Sequence, residues 1–355
     1  MTQTEIVPRS NNADRAFPEI IKILAENGMM AMTIPQDYGG GGRDEISHVL
    51  ALMEISQGNA SVGGFLAWNN SLFCFPILKY GSEEQKRKYL FPCSKGRRSG
   101  SFALIGSALS GRNHVTGFSD GGEGWVKGRG TFFPCGFSWG ILSVVSEGSK
   151  RKVFIIIDLD RTDGLKRGEI FEKGGIFFSG IAEAAFENVR VDAAELMGME
   201  NDSDFAVQSV LQEAWMAVAA IAVGIGASSM EETTNFFGNK QGRGSISQTM
   251  EWKFADMAVD LEAAKLFVLK AAWLKDQGKS YEKTAASAKV FATGAAVRLT
   301  CEGLEILGDK DPSRRPLMEE RMREAKMCRV YFGTSEDAGL VVADHVIGLA
   351  GMTGF

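Results

Sequence analysis

The side chains that most readily do chemistry, thiols and imidazoles, are scattered along this sequence of 355 residues. Its five cysteines show no CxxC spacing, and His48, His114 and His345 lie too far apart to form a metal-ligand pattern. Cys135 could act as a nucleophile by its position alone. No histidine stands near it in sequence to activate the thiol, which favours a buried, inert cysteine. The sequence therefore predicts neither a metal site nor a thiol enzyme.

The composition limits the classes of partner. Apolar residues make up 45% of the chain and charged residues 23%, and the net charge of −5 leaves no basic face for nucleic acid. The longest apolar run, residues 215–225, is too short to require a bilayer and is interpreted as a buried helix. Because no secretory signal is visible and the cysteines are odd in number and dispersed, we expect a cytoplasmic protein with reduced thiols and no membrane partner.

Two changes of pattern divide the chain. Residues 14–89 have helical periodicity, with one apolar stripe, and are interrupted by a glycine-rich loop at 39–42. The stripe consists of Phe17, Ile20, Ile21 and Leu24. Residues 100–190 are short β-prone segments between Gly, Asp and Ser clusters, which is typical of a small β-barrel or sandwich.

Long helical stretches follow, at residues 207–237, 248–277 and 280–307, and their short connections indicate a bundle. The fold class predicted from these patterns is α+β, with three domains in the order helices, sheet, helices. The N-terminal α-helical domain is placed at 1–99, the middle β domain at 100–200, and a C-terminal four-helix bundle at 201–355.

Several segments resemble the acyl-CoA dehydrogenase family, in the family's own order. The most informative is Tyr331-Phe332-Gly333-Thr334-Ser335-Glu336, which is close to the family signature Tyr-Glu-Gly-Thr-Ser-Glu. Four more segments match between the N-terminal turn and the bundle: Ile34-Pro35-Gln36-Asp37-Tyr38-Gly39-Gly40, Gly81-Ser82-Glu83-Glu84-Gln85-Lys86-Arg87-Lys88-Tyr89-Leu90, Phe186-Glu187-Asn188-Val189-Arg190-Val191, and Gln248 followed by Phe254-Ala255-Asp256-Met257. Together they cover about residues 18–346.

The resemblance implies the same three-domain fold and a reaction, the α,β-dehydrogenation of an acyl thioester carried by CoA or by a carrier protein. In the family a carboxylate removes the α-proton while the β-hydrogen leaves as hydride to N5 of FAD. The family's FAD often extends across a dimer interface. The resemblance therefore also implies a homo- or hetero-oligomer with another acyl-CoA dehydrogenase-like chain.

The position of the family's usual catalytic base holds Phe332, which has no basic atom. Some relatives carry the base instead in a Glu-Arg pair that opens the first long helix of the bundle, and the matching positions here are Ala214 and Trp215. Glu213 stands one residue away, about 100° around a helix. It is the one candidate base, and the alternative is a surface or first-turn glutamate favoured by the helix dipole.

Segments that contact the flavin in the family are changed as well. Ile105 replaces a threonine hydroxyl, Pro134 offers neither a hydroxyl nor an N–H, and the Gly-Gly-x-Gly loop reads Leu307-Gly308-Asp309-Lys310. The residues that the resemblance places against the cofactor are Leu104, Gly111, Pro134, Gln248, Arg243, Thr334 and Glu336. Of these, Gln248, Thr334 and Glu336 could equally cap and pack helices.

Three functions stay open on the sequence. The first is a degenerate partner subunit of a heteromeric flavin-dependent α,β-dehydrogenase, in which another chain supplies the base and most flavin contacts. The second is an active flavoenzyme with a displaced base such as Glu213. The third is a flavin-free protein that binds an acyl thioester, or isomerises it or eliminates from it. FAD is shared with a partner in the first, bound in the second and lost in the third.

Overall fold

The fold is that of a computed structural model, which describes residues 13–103, 114–120, 123–134, 137–146, 152–171, 181–197, 203–240, 246–331 and 333–348. Helices form both ends of the chain and strands form its middle. The N-terminal helices are α1 (Ala13–Glu26), α2 (Glu45–Gly58), α3 (Ala60–Ala67), α4 (Phe75–Tyr80) and α5 (Glu83–Ser94), with a π-helical segment, Trp68–Cys74, between α3 and α4.

Short polar side chains determine where these helices begin. Asp44 accepts a hydrogen bond of 2.8 Å from the backbone N–H of Ser47 at the start of α2. Ser82 and Gln85 form a capping box at the start of α5. The amide of Gln85 also donates to the backbone carbonyls of Ala194 and Leu196, at 2.9 Å each, and so attaches α5 to the end of the β region.

The middle region is one mixed sheet. Its strands are β1 (Gly100–Ala103), β2 (His114–Asp120), β3 (Glu123–Pro134), β4 (Trp139–Ser146), β5 (Lys152–Asp158), β6 (Leu165–Phe171), β7 (Ile181–Asp192) and β8 (Leu196–Met197). The strand order is β6-β7-β3-β2-β4-β5-β8, and β1 pairs with β4. The β1–β4 and β2–β4 pairs are parallel and the others are antiparallel.

The C-terminal region contains the helices of the predicted bundle. They are α6 (Ser203–Lys240), α7 (Gln248–Asp276), α8 (Glu282–Lys310), α9 (Arg315–Cys328) and α10 (Ser335–Ile347). At Gly224, α6 passes so close to α2 that a Cβ there would lie 2.5 Å from the backbone oxygen of Met53, so only glycine permits this approach.

The structure confirms the predicted fold class and the order of helices, sheet and helices. Ile20 and Leu24 of the predicted N-terminal stripe are fully buried, and the predicted buried run at 215–225 lies inside α6 with its side chains in the core. The exact domain boundaries stay a prediction. One predicted loop is wrong, because Gly308-Asp309-Lys310 forms the last turn of α8, which continues to a C-cap at Asp311.

Within the described residues one helix, over Phe205–Phe237, has the length and apolar composition to cross a membrane. Its most apolar window is 83% buried inside the protein. That burial is typical of the central helix of a folded core, and α6 has this position because α2, α7, α8 and α9 pack around it.

Buried charges join the N-terminal helices to the bundle. The carboxylate of Asp276, at the end of α7, accepts from the backbone N–H groups of Glu45 and Ile46 at 2.8 and 3.1 Å. Beside it, the ammonium of Lys275 contacts the carboxylates of both Glu45 and Glu213 at 2.5 Å. The two carboxylates are almost fully buried, so this one ammonium neutralises charge contributed by α2 and α6.

Replacement of this ammonium is predicted to destabilise the fold strongly. Lys275→Met leaves two buried carboxylates without their counter-ion, which costs about 3 to 5 kcal/mol of unfolding free energy. Urea denaturation of the wild type and the variant measures the difference. Lys22→Met, which removes an exposed ammonium 3.8 Å from Glu26, is the control and should leave the midpoint unchanged. Equal effects of the two substitutions would contradict a structural role for Lys275.

Candidate functional site

The segment that resembles the family signature lies between α9 and α10. Gly333 has φ of +83°, a left-handed conformation that favours glycine, and it turns the chain into α10. Thr334 caps α10, because its hydroxyl oxygen accepts from the N–H of Asp337 at 3.0 Å while its own N–H donates to the Asp337 carboxylate at 2.9 Å. Ser335 donates its N–H to the Arg329 carbonyl at 2.8 Å. Both ends of the turn are therefore fixed by local hydrogen bonds.

A buried lysine holds this segment from the opposite side. Lys289, in the third turn of α8, is fully buried and donates to the backbone carbonyls of Tyr331 and Gly333, the second at 2.5 Å. These two carbonyls flank position 332. Burial lowers the pKa of Lys289 to about 7, and the thiol of Cys328 and the carboxylate of Asp337 offset only part of that shift. A neutral amine carries two N–H groups, one for each carbonyl.

Two side chains of α6 face the same segment. A Cβ placed on Gly333 would lie 3.4 Å from Nε1 of Trp215 and 3.8 Å from Leu211. The Trp215 indole is buried, and its Nε1–H has no hydrogen-bond partner among the described residues. A buried donor left unpaired costs about 1 to 3 kcal/mol. Trp215 therefore presents an unused donor beside the residues that flank position 332.

Glu213 points elsewhere. It lies two residues from both Leu211 and Trp215, about 200° around the helix from each, so its side chain leaves the opposite side of α6. There its carboxylate binds Lys275 at 2.5 Å and accepts a short hydrogen bond from the hydroxyl of Tyr281. Both carboxylate oxygens of the candidate base are thus engaged in the buried charge cluster.

The electrostatics of this cluster follow from burial and proximity. Burial opposes ionisation of Glu45, but Lys275 and His48 outweigh it and lower the pKa of Glu45 to about 2. Burial raises the pKa of Glu213; Lys275 offsets part of this, and the negative charge of Glu45 raises it further. Burial and the Glu213 carboxylate also raise the pKa of Tyr281. The hydroxyl of Tyr281 therefore stays protonated and keeps donating to Glu213.

His48 completes the cluster on the α2 side. Its Nδ1 lies 2.7 Å from the second oxygen of Glu45, and the ring is buried. The phenyl ring of Phe75 lies 4.8 Å from the ammonium of Lys275, a cation–π contact on the remaining side. The arrangement leaves no carboxylate oxygen of Glu45 or Glu213 without a partner, whereas Nε2 of His48 has none among the described residues. The cluster can hold helices together, and neither carboxylate in it is a free base.

The structure tests few of the residues predicted to contact a cofactor. Gln248 is the exposed first residue of α7, and no hydrogen bond of its side chain occurs within the described part of the chain. Thr334 caps α10, and Glu336 is exposed and pairs with Arg329 at 3.1 Å. Pro134 ends β3, but its side chain is outside the described residues. Leu104, Ile105, Gly111, Cys135, Arg243 and Phe332 also lie outside them.

Sequence reasoning missed two residues of this region. Lys289 interrupts an alanine-rich helical stretch at a position that falls on its apolar side, next to Ala285, Ala288 and Ala292, and this placement is the signal that could have revealed a buried amine. In the sequence, Trp215 is distinguished only by standing where some relatives have an arginine. Nothing in the sequence shows that its N–H lacks a partner.

The order of helical domain, mixed sheet and helical bundle, with a Gly-Thr-Ser-Glu turn at the start of α10, defines the class of protein. The family model described as acyl-CoA dehydrogenase, N-terminal domain, matches residues 1–97, and the one described as acyl-CoA dehydrogenase, C-terminal domain, matches residues 205–347. The short-chain specific acyl-CoA dehydrogenase of Rattus norvegicus mitochondria is 32% identical over 97% of this chain and 87% of its own length. The chain belongs to the acyl-CoA dehydrogenase family.

Solved structures have the same fold. Butyryl-CoA dehydrogenase from Megasphaera elsdenii superposes with a TM-score of 0.89 at 28% identity, covering 98% of this chain and 95% of that one. A glutaryl-CoA dehydrogenase from Mycobacterium smegmatis, solved in complex with FADH2, superposes with a TM-score of 0.88 at 23% identity, covering 99% and 93%.

The described side chains fit the family's flavin only in part. FAD presents many polar atoms, and its binding requires several free donors. Glu336 is engaged in an ion pair and the Thr334 hydroxyl accepts the cap hydrogen bond, which leaves the exposed amide of Gln248 and the O–H of Thr334 as the donors of the three candidates that no hydrogen bond within the described part of the chain uses. These three side chains do not form an FAD site by themselves.

The buried amine of Lys289 predicts a pH dependence of stability. An unfolded lysine has a pKa of about 10.4, whereas burial lowers that of Lys289 to about 7. Between these values the unfolded chain binds one proton more, so the group's contribution to unfolding free energy rises with pH, by up to about 1.4 kcal/mol per unit. Below pH 7 this slope vanishes. Urea titrations at pH 6, 7.5 and 9 should show the wild type gaining stability relative to Lys289→Met only above pH 7. Parallel curves would exclude the shifted amine.

Proposed function

We propose that this chain is the base-free partner subunit of a heteromeric, flavin-dependent acyl-CoA dehydrogenase. It binds or helps to bind an acyl thioester, while a second acyl-CoA dehydrogenase-like chain supplies the carboxylate that removes the α-proton. The observation that carries the proposal is the state of Glu213. This candidate base is buried, and its two oxygens are bound by Lys275 and Tyr281.

Two further considerations support a base-free subunit. Phe332 occupies the position of the family's usual base, and a benzyl side chain cannot accept a proton. Release of Glu213 for catalysis would leave the Lys275 ammonium with Glu45 alone, in a buried region where each broken ion pair costs several kcal/mol. The fold itself opposes use of Glu213 as a base.

The fold nevertheless keeps features suited to a thioester ligand. Lys289 fixes the carbonyls on both sides of position 332, and Trp215 presents an unpaired buried N–H beside Gly333. A thioester carbonyl oxygen is an acceptor that such a donor would satisfy. In this proposal FAD is held with the partner chain, and both chains are cytoplasmic, as the scattered free cysteines suggest.

Visible absorption spectra test the assignment. The pure chain incubated with FAD and desalted should retain little flavin, and anaerobic butyryl-CoA should not bleach what remains. Co-expressed and co-purified with a second acyl-CoA dehydrogenase-like chain from the same genome, it should carry flavin that butyryl-CoA or another acyl-CoA bleaches. Replacement of the partner chain's carboxylate base by glutamine should abolish this bleaching, because no carboxylate of this chain replaces it.

The same spectra identify the competing functions. One contrary result is a pure chain that holds stoichiometric FAD, that acyl-CoA bleaches, and that no longer bleaches in the Glu213→Gln variant. This result would establish a flavoenzyme with a displaced base and overturn the proposal. A chain that binds acyl-CoA, stays colourless and forms no complex with any homologue would be a flavin-free thioester-binding protein, which also overturns it.

The indole N–H is predicted to contribute to ligand binding. Trp215→Phe removes the donor and retains an aromatic ring, so it should weaken binding of butyryl-CoA by about tenfold, the worth of one hydrogen bond. Isothermal titration calorimetry on the co-purified complex measures this change. Trp273→Phe is the control, because it makes the same substitution at an exposed tryptophan of α7, and it should leave the affinity unchanged. Equal affinity of the wild type and Trp215→Phe would remove Trp215 from the ligand site.

A further inference from the structure

Two cysteines that are distant in sequence lie side by side in the N-terminal helical region. Cys74 ends the π-helical segment Trp68–Cys74, and Cys93 lies in the last turn of α5. Their thiols are hydrogen-bonded to each other, and both side chains are fully buried. Two sulfur atoms in hydrogen-bond contact are within reach of a covalent S–S bond once the side chains rotate toward each other.

The π-helical segment holds two neighbouring parts of the fold through its buried amides. Asn70 accepts a hydrogen bond of 2.8 Å from the backbone N–H of Ala31. Asn69 accepts from the N–H of Gly100, the first residue of β1, at 3.2 Å, and its amide N–H lies 3.8 Å from the sulfur of Cys74. Because π-helical turns are rare and occur often at functional sites, this segment is a natural place to search for one. A bond formed at Cys74 acts on a segment to which the N-terminal turn and the sheet are both attached.

The last turn of α5 is the weakest part of the structure beside this pair. Pro92 lies inside the helix and has no N–H to donate to the carbonyl of Lys88, one turn earlier. The side chain of Phe91, in the same turn, is 44% exposed, so the turn lies at the protein surface. Helix ends that lack hydrogen bonds open more readily than helix interiors. Opening of this turn brings Cys93 to solvent while the π-helical segment stays in place.

Burial determines when this pair can react. It raises the pKa of Cys93 well above its usual range, and the contact with Cys74 adds to the rise. Because the thiolate is the reactive form of cysteine, Cys93 is protonated and inert while the turn is closed. Oxidation is consequently limited to molecules in which the turn has opened. Such behaviour suits a cytoplasmic protein, in which a disulfide is usually transient and redox-sensing.

We propose that Cys74 and Cys93 are an oxidation site, at which a peroxide converts the two thiols into a reversible disulfide after the last turn of α5 opens. The sulfur of Cys93 attacks the O–O bond of hydrogen peroxide and becomes a sulfenic acid, with release of one water. The sulfur of Cys74 then displaces the sulfenic oxygen, the S–S bond forms, and that oxygen leaves as a second water. The two thiol hydrogens and the two peroxide hydrogens are all contained in these two waters.

The disulfide joins α5 covalently to the π-helical segment. It closes a loop of about 20 residues and so restricts the unfolded chain, which stabilises the fold. The site is independent of the proposed function, since it uses none of the residues assigned to the thioester or to the buried charge cluster.

Peptide mapping of the full chain tests the site. The native protein is treated briefly with hydrogen peroxide, its free thiols are blocked in denaturant, and it is digested with trypsin without reduction. The wild type should give one disulfide-linked pair of peptides, residues 44–79 with residues 89–95, and dithiothreitol should separate them. The oxidised protein should also unfold at a temperature about 3 to 6 °C above that of the reduced protein.

Two substitutions separate this pair from the other thiols. Cys93→Ala should abolish the linked peptides, because no second sulfur remains beside Cys74. Cys301→Ala is the matched control, because it removes an exposed thiol elsewhere in the chain, and it should leave the yield and the rate of linkage unchanged. Circular dichroism verifies that both variants are folded.

The rate of linkage tests the opening step. Pro92→Ala restores an N–H that can bond to the carbonyl of Lys88, so it should hold the last turn of α5 closed and slow the linkage by about tenfold or more. Urea at concentrations below the unfolding transition should accelerate linkage in the wild type, because it favours local opening.

Three results would overturn the proposal. The first is a native wild type that gives no linked peptides under peroxide treatment that links them in the unfolded chain. The second is linkage in Pro92→Ala as fast as in the wild type. The third is an oxidised protein that contains the disulfide and unfolds at or below the temperature of the reduced protein.

Discussion

The ammonium of Lys275 is the charge on which the arrangement of helices depends. It lies between carboxylates from α2 and α6, two elements that are far apart in sequence, and compensates both in a region nearly closed to water. Coulomb attraction in such surroundings is strong, but so is the cost of desolvation, and the cluster is stable only because each oxygen also meets a donor. Tyr281 and His48 supply those contacts. The carboxylate of Glu213, the candidate base, is consequently one of the groups that hold the helices together.

Helix α7 connects the N-terminal helices to the bundle. Its C-terminal end carries Lys275 and Asp276, which bind the start of α2, and one of its faces packs into the bundle. Because the end and the face of one helix are fixed relative to each other, the start of α2 is held in a defined orientation to the bundle.

The sequence was sufficient for the architecture and insufficient for the charge cluster. Helical periodicity, glycine punctuation and β-prone segments predict the three regions because these signals are local. Glu45 and Lys275 are 230 residues apart, and each has the appearance of an ordinary surface charge, so no local signal connects them. For the same reason Glu213 could be predicted only as a weak candidate base or as a surface glutamate. The last turn of α8 was also hidden, because Gly308 and the polar residues after it have the composition of a loop.

Lys289 holds the chain by two backbone carbonyls, those of Tyr331 and Gly333. Main-chain oxygens are the same whatever amino acid stands between them. The hydrogen bonds from Lys289 therefore do not depend on which side chain stands at position 332. The contacts that hold this turn are therefore separate from the side chain that would do chemistry in it. A single codon change at position 332 can remove or return a reactive group while Lys289 keeps its two main-chain hydrogen bonds.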